Sequence, residues 1–396
     1  MAELKRTEAA ALAYRRTEAV DAAPASAGAT AAPGARSRPL RVLMMPDATA
    51  GNPYQRRLAD ALGPQEVETR LVQPRGWLPL LRAVREAGRV DVLHLHWTHR
   101  ITLGRNKAVT LVKSLRFLAE LALLRRRGTR IVWTAHNLLE HERRFPRMEL
   151  WTCRAAARLY DRIIVHGPEA RRVVAGGLAL PARQLSRLEC IPHGHFVGAY
   201  PDDVDRAAAR QALGIAENAG PVFVHFGQIR PYKGVWELLD AFERLELPDA
   251  VLIIAGRPWD AATAAALGER AERDPRVRLF PGFVPDARIQ YYMRAADAAV
   301  LPYRDILTSG TAMLAMSFGR TVIMPRHGCS RDMVGVDNAL LFDGTHADGL
   351  LRAMRAAAAA DLETLGTACR RVAARCDWPS IATRTAAIYR GEGVRR

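Results

Sequence analysis

Two stretches in the second half of the chain combine cationic side chains, hydroxyls and glycines in a way that suits an anionic ligand. The first is His225-Phe226-Gly227-Gln228-Ile229-Arg230-Pro231-Tyr232-Lys233-Gly234, between an apolar run and an amphipathic one. Glycines let backbone N–H groups approach an anion, Arg230 can grip oxygens in a fork, and Lys233 supplies a point charge. Only Lys5, Lys107, Lys113 and Lys233 are lysine among 58 basic residues, so a lysine at 233, where arginine is the common choice, marks the position. The second stretch is Leu301-Pro302-Tyr303 followed by Thr308-Ser309-Gly310-Thr311. Small hydroxyl residues and a glycine at a helix start expose N–H groups. Alone, each reads as well as a basic loop or an ordinary helix cap. Together they point to a diphosphate.

The first half is rich in loop histidines. His136 and Asn137, with His141 and Glu142 close behind, follow an apolar strand pattern; His and carboxylate side chains there suit acid–base work or contacts to sugar hydroxyls. Exposed residues of a long loop would look the same. His193-Gly194-His195 follows Ile191-Pro192, and His94, His96 and His99 sit at another strand end. An HxH pair without a third ligand at useful spacing does not make a metal site, so no metal and no cofactor are expected.

These residues need elements to position them. From Leu40 onward, short apolar strands alternate with amphipathic helices: strands at Leu40–Met45, Asp91–His96, Arg130–Thr134 and Arg162–Val165, with helices at Tyr54–Leu62, Thr110–Arg127 and Trp151–Tyr160 between them. After a polar stretch, Asp202–Gly220, the rhythm restarts with strands at Val222–Phe226, Val251–Ala255, Val277–Phe280, Ala298–Leu301 and Thr321–Met324, and helices at Val235–Leu245 and Met313–Phe318. This predicts an α/β chain of two Rossmann-like domains facing a cleft, with ligands at the carboxyl ends of the strands. The expected organisation is a disordered tail over 1–38, a first domain over 39–200, a second domain over 201–374, and a C-terminal helix over 375–396 that packs back on the first domain.

Composition narrows the class. The five cysteines (Cys153, Cys190, Cys329, Cys369 and Cys376) show no CxxC spacing, which fits a reduced cytoplasmic compartment. No apolar run is long enough to span a bilayer, and the N-terminus lacks the apolar core of a secretory signal. The formal charge is +17, and the segment from Arg100 to Arg172 holds 17 Lys and Arg against 6 Asp and Glu. Such a patch suits an anionic membrane surface or nucleic acid. Thr110–Arg127 places Leu111, Leu115, Leu118 and Ala122 on one face, flanked by Lys113, Arg116, Arg125, Arg126 and Arg127. A membrane-surface helix and a core-packing helix with basic ends both fit.

Taken together, the motifs resemble the GT-B glycosyltransferases over Leu40 to about Arg390. Within that group the chain is similar to the bacterial exopolysaccharide β-mannosyltransferases of the xanthan type, glycosyltransferase family 94. The resemblance is carried by Asn52-Pro53-Tyr54, Asp91 to Trp97, His136-Asn137 with His141-Glu142, His193-Gly194-His195, His225-Phe226-Gly227, Ile229 to Gly234, Ser309-Gly310-Thr311 and Asp377-Trp378-Pro379. It implies inverting, metal-independent transfer of mannose from GDP-mannose to a polyprenyl-diphosphate-linked oligosaccharide, by a protein peripheral on the inner membrane face. The more distant retaining family 4 carries two glutamates where this chain has Ile306 and Leu314, and an arginine where it has Gln228, a role that Arg230 can take. The reading assigns the donor to Gly227, Arg230, Lys233 and Thr308–Thr311, the general base to Glu142, the donor-sugar contact to His136, and the acceptor side of the cleft to Asn52, His96, Asn137, His141, His193 and His195. A retaining transferase with another donor, a nucleotide-sugar epimerase of the same fold, and a nucleic-acid-binding protein are the alternatives; the last does not explain two phosphate-ready turns.

Overall fold

Leu40–Met45 alternates its side chains between two cores, and the first domain grows from that alternation. Val42 and Met44 pack with Tyr54, Leu58 and Leu62, whereas Leu43 and Met45 join the cluster of Leu93, Phe117 and Leu121 on the opposite face. The computed structural model describes residues 38–328, 330–335 and 338–392. The expected tail lies outside the described residues except for Arg38, as does Cys329.

The first sheet comprises β1 (Leu40–Met45), β2 (Val67–Leu71), β3 (Val92–Leu95), β4 (Arg130–Thr134), β5 (Arg162–Val165) and β6 (Leu188–Cys190). All pairs are parallel, in the order β2-β1-β3-β4-β5-β6. The second sheet holds β7 (Val222–Phe226), β8 (Val251–Gly256), β9 (Val277–Pro281), β10 (Ala298–Val300), β11 (Thr321–Pro325) and β12 (Leu340–Phe342). It is also parallel, in the order β12-β11-β10-β7-β8-β9. The order reverses between β1 and β3 in one sheet and between β7 and β10 in the other. Ligands of open parallel sheets bind outside the strand ends at such switch points. Every motif singled out in the second domain follows β7 or β10.

The chain crosses between domains near residue 196 and returns near 376. Asp377 caps the last helix, Trp378–Arg390, by accepting from the Ser380 N–H at 2.8 Å. That helix lies against Tyr54–Leu62 and buries Trp378, Ile381, Ala386 and Tyr389 in the first domain's core, the expected return. The Trp378 indole N–H donates to the His195 carbonyl at 2.8 Å, and the His195 N–H donates to the Cys376 carbonyl at 3.2 Å. Both crossings are therefore stitched to each other. Burial of a tryptophan of this kind is worth about 3–5 kcal/mol.

The basic helix runs from Lys107 to Arg126, and its core face is not the leucine stripe. Thr110, Ser114, Phe117, Leu121 and Leu124 point inward. Leu111, Val112, Leu115 and Leu123 face solvent, with Leu115 51% exposed. Trp77 is 66% exposed beside them, its ring 5.8 Å from the Arg116 guanidinium. Lys113 and Arg116 turn back to the carbonyls of Leu103 (2.9 Å) and Ile101 (3.0 Å), and Arg125 to those of Arg158 and Leu159, so the outward charge belongs to Arg105, Lys107, Arg126 and Arg127. Among the described residues no helix is long and apolar enough to cross a membrane.

Candidate active site

Gly227 sits at the end of β7 with φ of 101°, a region that glycine alone enters freely. A Cβ there would lie 3.2 Å from Lys233 Nζ and 3.5 Å from Thr311 Oγ1. The three predicted donor residues thus converge on one point above the strand. Lys233 ends a short 3-10 turn, Pro231–Lys233, and Gly234 closes it in the left-handed region before the helix Val235–Glu243 begins. The ammonium lies 5.6 Å from the centre of the Tyr303 ring. The helix Gly310–Ser317 starts opposite, capped by Ser309 Oγ, which accepts from the Ala312 N–H at 3.0 Å.

Three buried polar atoms around this point have no partner among the described residues: Tyr303 Oη, Thr308 Oγ1 and His225 Nε2. Unpaired buried groups are costly unless a ligand or solvent meets them. His225 donates through Nδ1 to the Val300 carbonyl at 3.0 Å, so its Nε2 carries a lone pair; burial holds its pKa down at about 4 and it stays neutral. The cations here, Lys233 and Arg230, are therefore the ones suited to an anion. Arg230 lies over the Trp259 ring at 4.7 Å, and its Nε is 3.7 Å from a Glu142 carboxylate oxygen of the first domain. Ile306 and Leu314 are buried apolar side chains, so no carboxylate enters from those positions.

Sequence reasoning missed two exposed aromatics beside this site. Trp259 follows β8 and is 44% exposed; Phe283 follows β9 with Arg257 5.9 Å from its ring. An aromatic just past a strand end in a ligand-binding sheet was the available signal.

Across the cleft, the histidines form a buried row rather than a set of loose ligands. His96 Nδ1 lies 3.1 Å from His136 Nε2, and His136 Nδ1 lies 3.3 Å from His166 Nε2. His166 Nδ1 is 3.0 Å from the Ile191 carbonyl, which can only accept. This end fixes every tautomer. His166 must donate through Nδ1, so its Nε2 accepts from His136, whose own Nε2 accepts from His96. The His96 Nε2 lone pair is left without a partner among the described residues. Burial pushes the pKa of His166 down to about 4 and of His193 down to about 3, and lowers His96 and His136 well below the usual range, so the row is uncharged. Both nitrogens of His136 are engaged within the row. Its ring stacks on Trp97 at 4.4 Å and meets Tyr54 edge-on at 5.0 Å. His166, which ends the row, was not singled out in the sequence; it directly follows β5 as His96 follows β3.

The remaining predicted residues divide. Asn52 forms a side-chain turn just before the Tyr54 helix, its Oδ1 accepting from the Tyr54 N–H at 2.9 Å. His193 is buried 4.7 Å from the Tyr54 ring and 5.6 Å from Phe196, which in turn lies against Gly310. This chain of contacts joins the histidine row to the donor-side helix. His195 belongs to the domain crossing described above. Asn137 is half-buried beside His136, and His141 stacks on Tyr232 at 4.0 Å. Among the described residues no group of three or more His, Cys, Asp or Glu is placed to hold a metal. A groove of about 1030 Å³ lies at the amino ends of β8 and β9 among residues such as Glu243, Arg276 and Asp348, the wrong edge of a parallel sheet for a ligand.

Fold and site together define a GT-B glycosyltransferase. The model of the family "Glycosyl transferases group 1" matches residues 220–359, the domain that carries both phosphate-ready loops. A GDP-mannose:glycolipid 4-beta-D-mannosyltransferase of Xanthomonas campestris pv. campestris is 31% identical over 308 residues, covering 76% of this chain and 79% of that protein. Among solved structures, sucrose-phosphate synthase of Thermosynechococcus elongatus superposes with a TM-score of 0.67 at 18% identity, over 89% of this chain and 99% of that one. Anabaena HepE in complex with UDP-glucose gives 0.66 at 16% identity, with the same coverage. The chain belongs to the GT-B glycosyltransferases and is an enzyme of that class.

Proposed function

We propose that this enzyme transfers mannose from GDP-mannose, with inversion, to a lipid-linked oligosaccharide of the polyprenyl-diphosphate type in exopolysaccharide assembly. The observation that carries the donor half is the convergence of Gly227, Lys233 and Thr311 beside unpartnered Tyr303 and Thr308 hydroxyls. The choice of mannose and of a glycolipid acceptor is supported by the Xanthomonas relative.

The diphosphate lies between Lys233, Arg230 and the Gly310–Ser317 helix start, where cations and N–H groups stabilise the charge of the leaving group. Trp259 and Phe283 offer faces to the nucleobase. The acceptor hydroxyl oxygen attacks the anomeric carbon from the first domain's side. Its proton goes to the Glu142 carboxylate, the bond to the diphosphate oxygen breaks, and that bond's electron pair leaves with the diphosphate. His136 shapes the sugar-side wall through its fixed ring, as do His96 and His193. No step calls on a metal.

A lipid-linked acceptor brings the first domain to a bilayer. The outward stripe Leu111, Val112, Leu115 and Leu123, with Trp77, offers apolar groups to the acyl boundary, and Arg105, Lys107, Arg126 and Arg127 offer charge to anionic headgroups. On this reading the protein works on the cytoplasmic face of the inner membrane.

A thermal-shift screen of nucleotide sugars tests the donor assignment. GDP-mannose is expected to raise the melting temperature more than UDP-glucose, UDP-N-acetylglucosamine or ADP-glucose. A larger shift with another nucleotide sugar replaces mannose as the donor.

A further inference from the structure

The loop after β4 reaches across the cleft with three consecutive residues, and each meets the second domain. The His141 ring stacks on Tyr232 with planes 9° apart. The Glu142 carboxylate lies 3.7 Å from Arg230 Nε. The Arg143 guanidinium pairs with Asp305. Tyr232 and Arg230 belong to the loop after β7, and Asp305 to the loop after β10. One short segment therefore spans both phosphate-ready loops.

The segment is braced for this task. Arg143 has φ of 48°, a left-handed conformation that non-glycine residues adopt uncommonly. Behind it, Glu140 holds Arg144 through two contacts of 3.0 and 2.7 Å, and the Glu140 N–H donates to Glu149 Oε1 at 2.8 Å. Part of the Arg230 donor set is engaged locally. One face lies over Trp259, and Nη1 donates to its neighbouring Ile229 carbonyl at 3.2 Å. Its Nε edge is where Glu142 sits.

We infer that Arg230 serves two anions in turn, the Glu142 carboxylate and the donor diphosphate, and that exchange of one for the other releases Glu142 to act as general base. This rests on the donor site proposed above. The diphosphate carries the larger charge and engages Lys233 at the same time, so it displaces the carboxylate. Arg143 and His141 keep the loop docked on Asp305 and Tyr232, so the released carboxylate remains in the cleft. The base is then free only when there is a donor to attack, and water meets an engaged carboxylate in the donor-free enzyme.

Titration calorimetry of the full chain with GDP and with UDP tests the exchange, alongside steady-state turnover. E142Q removes the competing charge and is expected to bind the diphosphate about two- to fivefold more tightly than wild type, the range of a partly exposed ion pair. Its kcat is expected to fall about a hundredfold or more for loss of a general base. Tighter binding with lost turnover is a pairing that mere damage to the loop does not produce. Equal or weaker binding by E142Q overturns the exchange, as does retained turnover. Failure of the wild type to bind either nucleotide overturns the donor site instead, and the exchange with it. Circular dichroism confirms the fold of E142Q, and E142A serves as a second variant with the same expectation.

Discussion

Gly234 packs so closely on the loop after β10 that a Cβ on it would lie 2.2 Å from the Pro302 carbonyl oxygen. Its φ of 69° excludes an easy alternative, and the Arg304 N–H donates to the Tyr232 carbonyl at 2.9 Å close by. The two loops of the donor site are thus one structural unit. Gly234→Ala is expected to cost about 1–3 kcal/mol of stability through strain and displacement. It should also weaken GDP binding, because Lys233 precedes it directly. Thermal denaturation and calorimetry check both; an unchanged melting temperature contradicts the close packing.

Lys233→Ala removes a buried cation from the proposed diphosphate site. Loss of a charge-assisted contact corresponds to about 1.5–3 kcal/mol of donor affinity. Unchanged affinity for GDP and UDP in the folded variant would rule out this position for the phosphates.

The histidine row makes stability depend on pH. Burial depresses the pKa of His166 to about 4 and those of His94 and His193 to about 3, so the unfolded chain binds more protons than the folded one below the ordinary histidine value. The stability they contribute is full above about pH 6.5 and is lost progressively as pH falls toward 4. His166→Gln should flatten that slope. Urea denaturation of both proteins between pH 4 and 7.5 measures it, and a wild-type stability independent of pH across this window contradicts the neutral row.

The exposed stripe of the Lys107–Arg126 helix gives a membrane prediction in two parts. Replacing Arg126 and Arg127 by Ser is expected to weaken the salt-sensitive part of binding to phosphatidylserine vesicles, each basic group contributing about 1 kcal/mol. Replacing Leu111 and Leu115 by Ser removes the salt-resistant part. Neither change should alter GDP affinity. A wild-type protein that ignores such vesicles at low salt contradicts the membrane account.

Much of the fold was legible because its central strands are nearly continuous apolar runs, as parallel strands buried on both faces must be. Of the edge strands only β9 was; β2, β6 and β12 were not. Val67–Leu71 buries only Val67, and Leu188–Cys190 and Leu340–Phe342 have three residues each, too short for a pattern. The Lys107–Arg126 helix carries apolar residues on every side, between its charged ones, so periodicity could not say which side faces the core. The donor residues were readable because glycine, lysine and hydroxyl side chains near strand ends have a local logic. The links Glu142–Arg230 and Arg143–Asp305 join residues from different domains, and nothing in their local sequence encodes such a partner. His166 lacked a neighbouring motif, and its role appears only once β3, β4 and β5 lie side by side.

The most direct test of the account is transfer itself. Enzyme, GDP-[¹⁴C]mannose and a detergent-solubilised polyprenyl-diphosphate oligosaccharide are incubated in EDTA, and label in the organic phase is counted. The account predicts mannose in the lipid fraction, β-linked by NMR, at an undiminished rate in EDTA. Label confined to free mannose, conversion of the nucleotide sugar without an acceptor, an α-linked product, or full loss in EDTA with rescue by a divalent ion would contradict it.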